Sequence, residues 1–204
     1  MKNKLMIIGA GGHGRVIADI ALRTGKYEAI AFLDDAVPEK VLPHPYMGKC
    51  EDAERFLAEY EFIVAIGNAA VRKCITEKLM DMGASMATVI APDAVIGSRV
   101  QIGEGTVIMS GTVINTDTSI GRGVILNTAS SVDHDCILED YCHVAVGAHL
   151  CGTVHIGQST WIGAGATVIN NLNVCQDCMI GAGAVVVTEI KEKGTYLGVP
   201  AKKV

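Results

Sequence analysis

The chain has 204 residues, enough for one large or two small domains, and half of them are hydrophobic, so a sizeable core is available. A formal net charge of -5 with no basic run argues against nucleic acid or an anionic membrane as the main partner. No stretch approaches the length of a membrane span, and seven cysteines, odd in number and without a paired framework, fit a reducing compartment, so the expectation is a cytoplasmic protein.

Lys2 and Lys4 precede an apolar run, but Leu5–Ile8 is too brief for a signal-peptide core and flows directly into Gly9-Ala10-Gly11-Gly12-His13-Gly14. That stretch fits G-x-G-x-x-G. The segment after it, Arg15 to Thr24, carries Val16, Ile17, Ile20 and Ala21 at helical spacing, so the strand, glycine turn and helix that the motif needs are all present. Glycines there allow backbone N–H groups at a helix start to approach a ligand phosphate. A second strand, Ala29 to Leu33, ends in Asp34-Asp35, where a dinucleotide fold places an acidic residue against a ribose.

After a proline-rich loop, Pro38 to Pro45, the pattern predicts a short helix around Glu51 to Tyr60, a strand Phe62 to Ile66 ending in Gly67-Asn68, a helix Ala69 to Met82 and a strand Ala87 to Ile90. About four strands make half of a doubly wound sheet. Such a half holds one nucleotide and lacks the second half that seats a nicotinamide. Residues 1–90 therefore read as a Rossmann-like domain, with Gly11, Gly12, His13, Asp34, Asp35 and Gly67 as candidate ligand contacts at the carboxyl ends of parallel strands.

From residue 91 to 190 every sixth residue is branched and apolar, from Ile96, Ile102 and Ile108 through to Ile180 and Val186, with a second, mostly small series two residues earlier. A hexapeptide period is the signature of a parallel β-helix, in which three units close one triangular coil. Residues two apart share the interior of a strand, so large anchors and small partners fill a narrow core. Glycine often follows the anchor, as at Gly97, Gly103, Gly121, Gly157, Gly163 and Gly181, and is expected to relieve a sharp corner. Beyond Ile190 a tail, residues 191–204, carries Gly198-Val199-Pro200-Ala201-Lys202, whose chemistry composition does not reveal.

The repeat leaves few residues unexplained. Asp133-His134-Asp135 falls at a corner just after anchor Val132, and an imidazole between carboxylates is a poised general base or, failing that, a solvated polar turn. His143, His149 and His155 each precede an anchor and point outward on successive faces, which argues against a metal site within one chain. With eighteen residues to a coil, the column Val107, Ile125, His143, Trp161 and Met179 is an apolar stripe suited to an interface or a ligand groove. Cys136, Cys142 and Cys178 occupy the small inward position, so Cys175-x-x-Cys178 is read as packing.

These motifs, with Asn127-Thr128-Ala129-Ser130-Ser131-Val132 and His143-Val144-Ala145-Val146-Gly147-Ala148, resemble over essentially the whole chain the hexapeptide-repeat acyltransferases, specifically the subfamily of sialic acid O-acetyltransferases and UDP-bacillosamine-pathway N-acetyltransferases. The resemblance implies a left-handed coil, a homotrimer with active sites between neighbouring prisms, and acetyl-CoA with no metal. It implies His134 as general base, oriented by Asp135 where the family commonly has Glu. His143, Gly152, Ala164 and Ala182 would contact acetyl-CoA, and the N-terminal glycines, His13 and acidic pair would hold a nucleotide sugar. The expected activity is N-acetylation of a 4-amino group on a nucleotide-linked, UDP-type, amino-dideoxy sugar. O-acetylation of sialic acid or a related sugar is the alternative, and a metal-dependent prism enzyme or a non-catalytic nucleotide-sugar sensor is the alternative of another class.

Overall fold

The computed structural model describes residues 2–36 and 43–204, so most of the expected Pro38–Pro45 loop lies outside the described residues. The chain forms two compact units, Met1–Pro92 and Asp93–Val204.

In the first unit the expected elements are β1 (Lys4–Ile8), α1 (Gly12–Thr24), β2 (Ala29–Leu33), β4 (Tyr60–Val64) and α2 (Ala69–Asp81). Two differences stand out. A short strand, β3 (Tyr46–Gly48), joins the edge of the sheet after the proline loop, and the segment expected as a helix near Glu51 is a 3-10 helix, Cys50–Phe56. With β5 (Ser85–Met86) the sheet order is β3-β2-β1-β4-β5, all parallel, which puts β1 at the centre and the switch in strand order between β1 and β4. Leu5, Met6, Ile7 and Ile8 are all buried, as expected of a central parallel strand covered on both faces. Met6 and Ile8 pack with Phe62, Val64 and Leu79 of α2. Asn68 starts α2 by accepting the Val71 N–H on Oδ1 (3.1 Å), and Gly25, in the left-handed region, ends α1.

In the second unit each anchor from Ile96 to Val186 is the last residue of a short strand. The strands stack into three sheets, one through Val113–Ile114, Ser131–Val132 and His149–Leu150, one through Ser119–Ile120, Ile137–Leu138 and His155–Ile156, and one through Ile125–Leu126, His143–Val144 and Trp161–Ile162. From Ile114 onward every anchor lies above the anchor eighteen residues before it, as in Ile114↔Val132↔Leu150, so the repeat closes the triangular coil that its period predicts. The tail caps the C-terminal end: Gly194–Leu197 pairs in parallel with Cys178–Ile180, and Lys202–Lys203 folds back antiparallel. The Gly198–Lys202 motif is the turn between those two strands, pinned by the Ala201 N–H donating to the Val185 carbonyl (2.8 Å).

The expected role of the corner glycines needs correction. Positive φ does not fall on the residue after the anchor but three residues after it, at Asp117, Ala129, Asp135, Tyr141, Asn171 and several glycines. Glycine follows the anchor for lack of room: a Cβ at Gly157 would lie 2.4 Å from the Gln176 nitrogen on the next coil. A second correction concerns the apolar column. Val107 and Ile125 are only 1% exposed, so its accessible part is confined to Trp161 (41%) and Met179 (45%).

Threonines in the inward series are not passive fillers. Thr160 Oγ1 donates to the Cys175 carbonyl (2.8 Å) and accepts the Cys178 N–H (3.1 Å), satisfying two main-chain groups inside the prism. Thr160→Val keeps the shape and orphans both groups, so it is expected to cost about 1–3 kcal/mol, read as a lower midpoint in urea unfolding at unchanged slope.

Candidate active site

At the carboxyl ends of β1, β2 and β4 three loops converge. Gly14 is required by contact, because a Cβ there would sit 2.0 Å from the Gly9 carbonyl oxygen, and its absence lets α1 start hard against the strand. Gly11, Gly12 and Gly67, by contrast, are exposed and face open space. Open main chain of this kind at a helix start has the character of a phosphate site. Asp34 shapes this loop from below: Oδ2 accepts the Ala10 N–H (2.7 Å) and Oδ1 the Ala36 N–H (2.9 Å). Asp35 Oδ1 accepts the Cys50 N–H (3.0 Å), and burial together with that carboxylate pushes the Cys50 thiol up to about 12. Both carboxylates expected to face a ribose are thus engaged with main-chain amides.

His13 lies at the first turn of α1, where burial, helped by the charge of Arg72, pulls its pKa down to about 4, so the ring is neutral at physiological pH. Arg72 is the residue sequence reasoning missed. It is 1% exposed and donates through Nη1 to the carbonyls of Ile66 (2.9 Å) and Gly67 (2.8 Å), fixing the loop after β4. A signal existed: a cation in the first turn of a helix opposes the helix dipole and needs a local reason to be there.

On the prism, His134 Nδ1 lies 2.7 Å from Asp135 Oδ2. With the ionised carboxylate accepting from Nδ1–H, the lone pair is left on Nε2. The Asp135 hydrogen bond and then the Asp133 charge raise the imidazole's pKa above its ordinary value. Gly152, one coil on, gives Nε2 its clearance, since a Cβ there would lie 2.6 Å from it. Gly152 therefore stands beside His134. Ala164 and Ala182 are exposed on a different edge, stacked through the Gly183 N–H to the Ala164 carbonyl (2.9 Å).

His143 is buried and stacks face to face on Trp161, with centroids 5.4 Å apart and planes 5° from parallel. Asn127 Nδ2 lies 3.2 Å from His143 Nε2, while Asn127 Oδ1 accepts the Thr128 N–H (2.8 Å). The Thr128 contact fixes the amide's orientation, so Nδ2 donates to Nε2 and the imidazole carries its proton on Nδ1. The other outward histidines sit apart, His149 Nδ1 against Ser131 Oγ (2.8 Å) and His155 Nε2 against Glu139 (2.9 Å). Among the described residues no group of three or more His, Cys, Asp or Glu could hold a metal ion, and no helix is long and apolar enough to cross a membrane.

Residues 4–79 match the family described as the PglD N-terminal domain. The GDP-perosamine N-acetyltransferase of Escherichia coli O157:H7 is 32% identical over 166 residues, 78% of this chain and 75% of that enzyme. The UDP-N-acetylbacillosamine N-acetyltransferase of Bacillus subtilis (strain 168) is 34% identical over 113 residues, and there the match spans about half of each chain, 53% of this one and 52% of that. Among solved structures, the acetyltransferase domain of PglB from Neisseria gonorrhoeae FA1090, in complex with acetyl coenzyme A, matches with a TM-score of 0.96 and 38% identity over 100% of both chains. The chain belongs to the hexapeptide-repeat sugar N-acetyltransferases.

In this N-acetyltransferase the prism is the family's left-handed β-helix, and the N-terminal sheet is its PglD-type domain. The geometry around His134 supplies an accepting nitrogen at a solvent-facing edge. Removing the carboxylate tests that geometry. Asp135→Asn removes the carboxylate that raises the His134 pKa, so the acid limb of the kcat/KM profile is expected to move to lower pH, with the plateau reduced about tenfold. An unmoved limb would show that Asp135 does not act on the imidazole.

Proposed function

We propose that the chain transfers the acetyl group of acetyl-CoA to the 4-amino group of a UDP-linked amino-dideoxy sugar, with His134 as general base. The observation that carries the assignment is the 2.7 Å His134–Asp135 contact, which leaves Nε2 as a free acceptor cleared by Gly152. A sugar ammonium cannot attack a thioester. His134 Nε2 takes a proton as the amine nitrogen bonds to the thioester carbonyl carbon, the tetrahedral adduct collapses with cleavage of the C–S bond, and the thiolate of CoA takes up the proton. A cysteine relay has no support, since Cys136 and Cys142 are buried and turned onto the carbonyls of Cys151 (3.2 Å) and Gly157 (3.2 Å).

The same geometry supports a homotrimer. His134 sits at the edge where the sheet of Ser131–Val132 meets that of Ile137–Leu138, and in a triangular coil that edge is opposite the sheet carrying His143 and Trp161. One chain therefore holds the base and the His143 face apart, and a neighbouring prism brings the base of one copy to the His143 face of the next. In that arrangement His143, Trp161, Ala164 and Ala182 line the acetyl-CoA groove. Gly11, Gly12, His13 and Gly67 receive the nucleotide, with Asp34 and Asp35 shaping its loop. Seven free thiols suit the reducing cytoplasm, where nucleotide sugars are made.

Incubating the protein with acetyl-CoA and a panel of UDP- and GDP-4-amino-dideoxy sugars and sialic acid, with detection of acetylated product by mass, is the direct test. Product from a UDP-amino sugar is expected; product from the GDP sugar alone would overturn the nucleotide, and product from sialic acid alone would overturn the role of the N-terminal site. His134→Ala is expected to keep the trimer and acetyl-CoA binding and to lose turnover by roughly 100-fold, measured by sedimentation, calorimetry and the same product assay.

A further inference from the structure

The corner that carries His134 rests on the corner one coil before it, Asn115-Thr116-Asp117, and the two are joined residue by residue. The Asp135 N–H donates to the Thr116 carbonyl (3.1 Å), and Thr118 Oγ1 donates to the Asp133 carbonyl (2.8 Å). The remaining contact is a side-chain one. Asn115 Nδ2 donates to Asp133 Oδ1 (2.7 Å), and that same oxygen accepts the main-chain N–H of His134 (2.9 Å). Asp133 Oδ1 is therefore held between two donors, one from the coil below and one from the base's own backbone.

We propose that Asn115 is a positioning residue for the base: by anchoring Asp133 Oδ1 it caps the His134 N–H and holds the imidazole where Nδ1 meets Asp135 and Nε2 clears Gly152. This rests on the reading of His134 as base. Two features argue that the contact is not incidental surface pairing. Asn115 is an exposed side chain on the outside of the prism, with no interior to fill, and its amide is spent on the one carboxylate that also binds the base's main chain. Donation from Asn115 and from the His134 amide also holds the Asp133 carboxyl below the usual range, and the two bonds together fix where its negative charge lies relative to the imidazole.

The charged and titratable groups around His134 are few. Asp133 and Asp135 lie on its own corner. Asp117 lies on the corner below, locked to Arg99 through Oδ1 and Nε (2.6 Å), and on the corner above are Cys151 and the uncharged Gly152 and Thr153. Release of Asp133 thus lets one of the two carboxylates that support the protonated ring move away from it, and among the described residues no other anion on these corners takes its place.

The test is Asn115→Ala, combined in a cycle with Asp133→Asn. Asn115→Ala is expected to keep its unfolding temperature and its KM for acetyl-CoA, to lose about tenfold in kcat, and to shift the His134 titration, followed by NMR with His134→Ala to assign the resonance among six histidines, to lower pH. In the Asp133→Asn background the same change is expected to add little. Unchanged kcat and titration in Asn115→Ala would overturn the proposal, as would losses that simply add in the double variant or a loss of kcat that follows a loss of fold. If His134→Ala keeps full turnover, it is the base assignment that fails. The titration shift needs no substrate, so it reports on the Asn115 link separately.

Discussion

The constraint on which the second unit depends is the eighteen-residue register between coils. Because each main-chain segment bonds to the one directly below it, a residue's neighbours are set by its place in the repeat: the Asp135 N–H meets the Thr116 carbonyl at 3.1 Å, and the Thr153 N–H meets the His134 carbonyl at 2.9 Å. The main chain around His134 is thereby held from both sides by a ladder that no single contact controls. A corner of a parallel β-helix is an irregular turn by its dihedrals, yet here its main chain is laddered to the coils on either side as a strand's is. Such a platform fixes the position of the side chains it carries, the His134–Asp135 pair among them.

Much of this architecture could be read from period alone, because periodicity reports the interior. Anchors, inward thiols and outward histidines all follow from which residues share a face, and His143, His149 and His155 do fall on three different sheets. What period does not report is the conformation of the corners. Positive φ three residues after the anchor is marked by glycine, Asp or Asn at many corners, such as Gly105, Asp117, Gly147 and Asn171, but Ala129 and Tyr141 adopt it too, because the coil's closure selects it whatever the side chain's own preference. The same limit explains the apolar column: Val107 and Ile125 are outward by pattern and yet buried, a fact that depends on packing beyond the repeat. In the first unit β3 went unseen because three residues between prolines and a 3-10 helix leave too short a window for alternation to register.

The N-terminal motif was legible in kind and less so in detail. Gly9-Ala10-Gly11-Gly12-His13-Gly14 reads as a ligand loop, but its glycines divide by physical cause, Gly14 by contact with the Gly9 carbonyl at 2.0 Å and Gly11 and Gly12 by openness. Asp34 was read as a ribose contact from its distance along the chain; in the structure each of its oxygens already accepts an amide, which makes it a support of the glycine turn. Arg72 is comparable, a buried cation whose partners are carbonyls of the loop after β4. Neither assignment is visible from residue type, because a carboxylate or guanidinium bound to main chain looks in sequence like one waiting for ligand.

The Asp at position 135, where the family resemblance suggests a Glu, suits the conformation of the same corner. Asp135 has φ of 57°, in the left-handed region, where a short side chain able to bond locally is tolerated better than most residues. From that backbone the side chain turns back toward the preceding residue and meets His134 Nδ1 at 2.7 Å, a full-strength charged hydrogen bond. The missing methylene is therefore not a shortfall in reach: at a left-handed corner the carboxylate is already close. Asp has one fewer rotatable bond to immobilise than Glu, so the contact it makes with the imidazole is the less costly of the two in side-chain entropy.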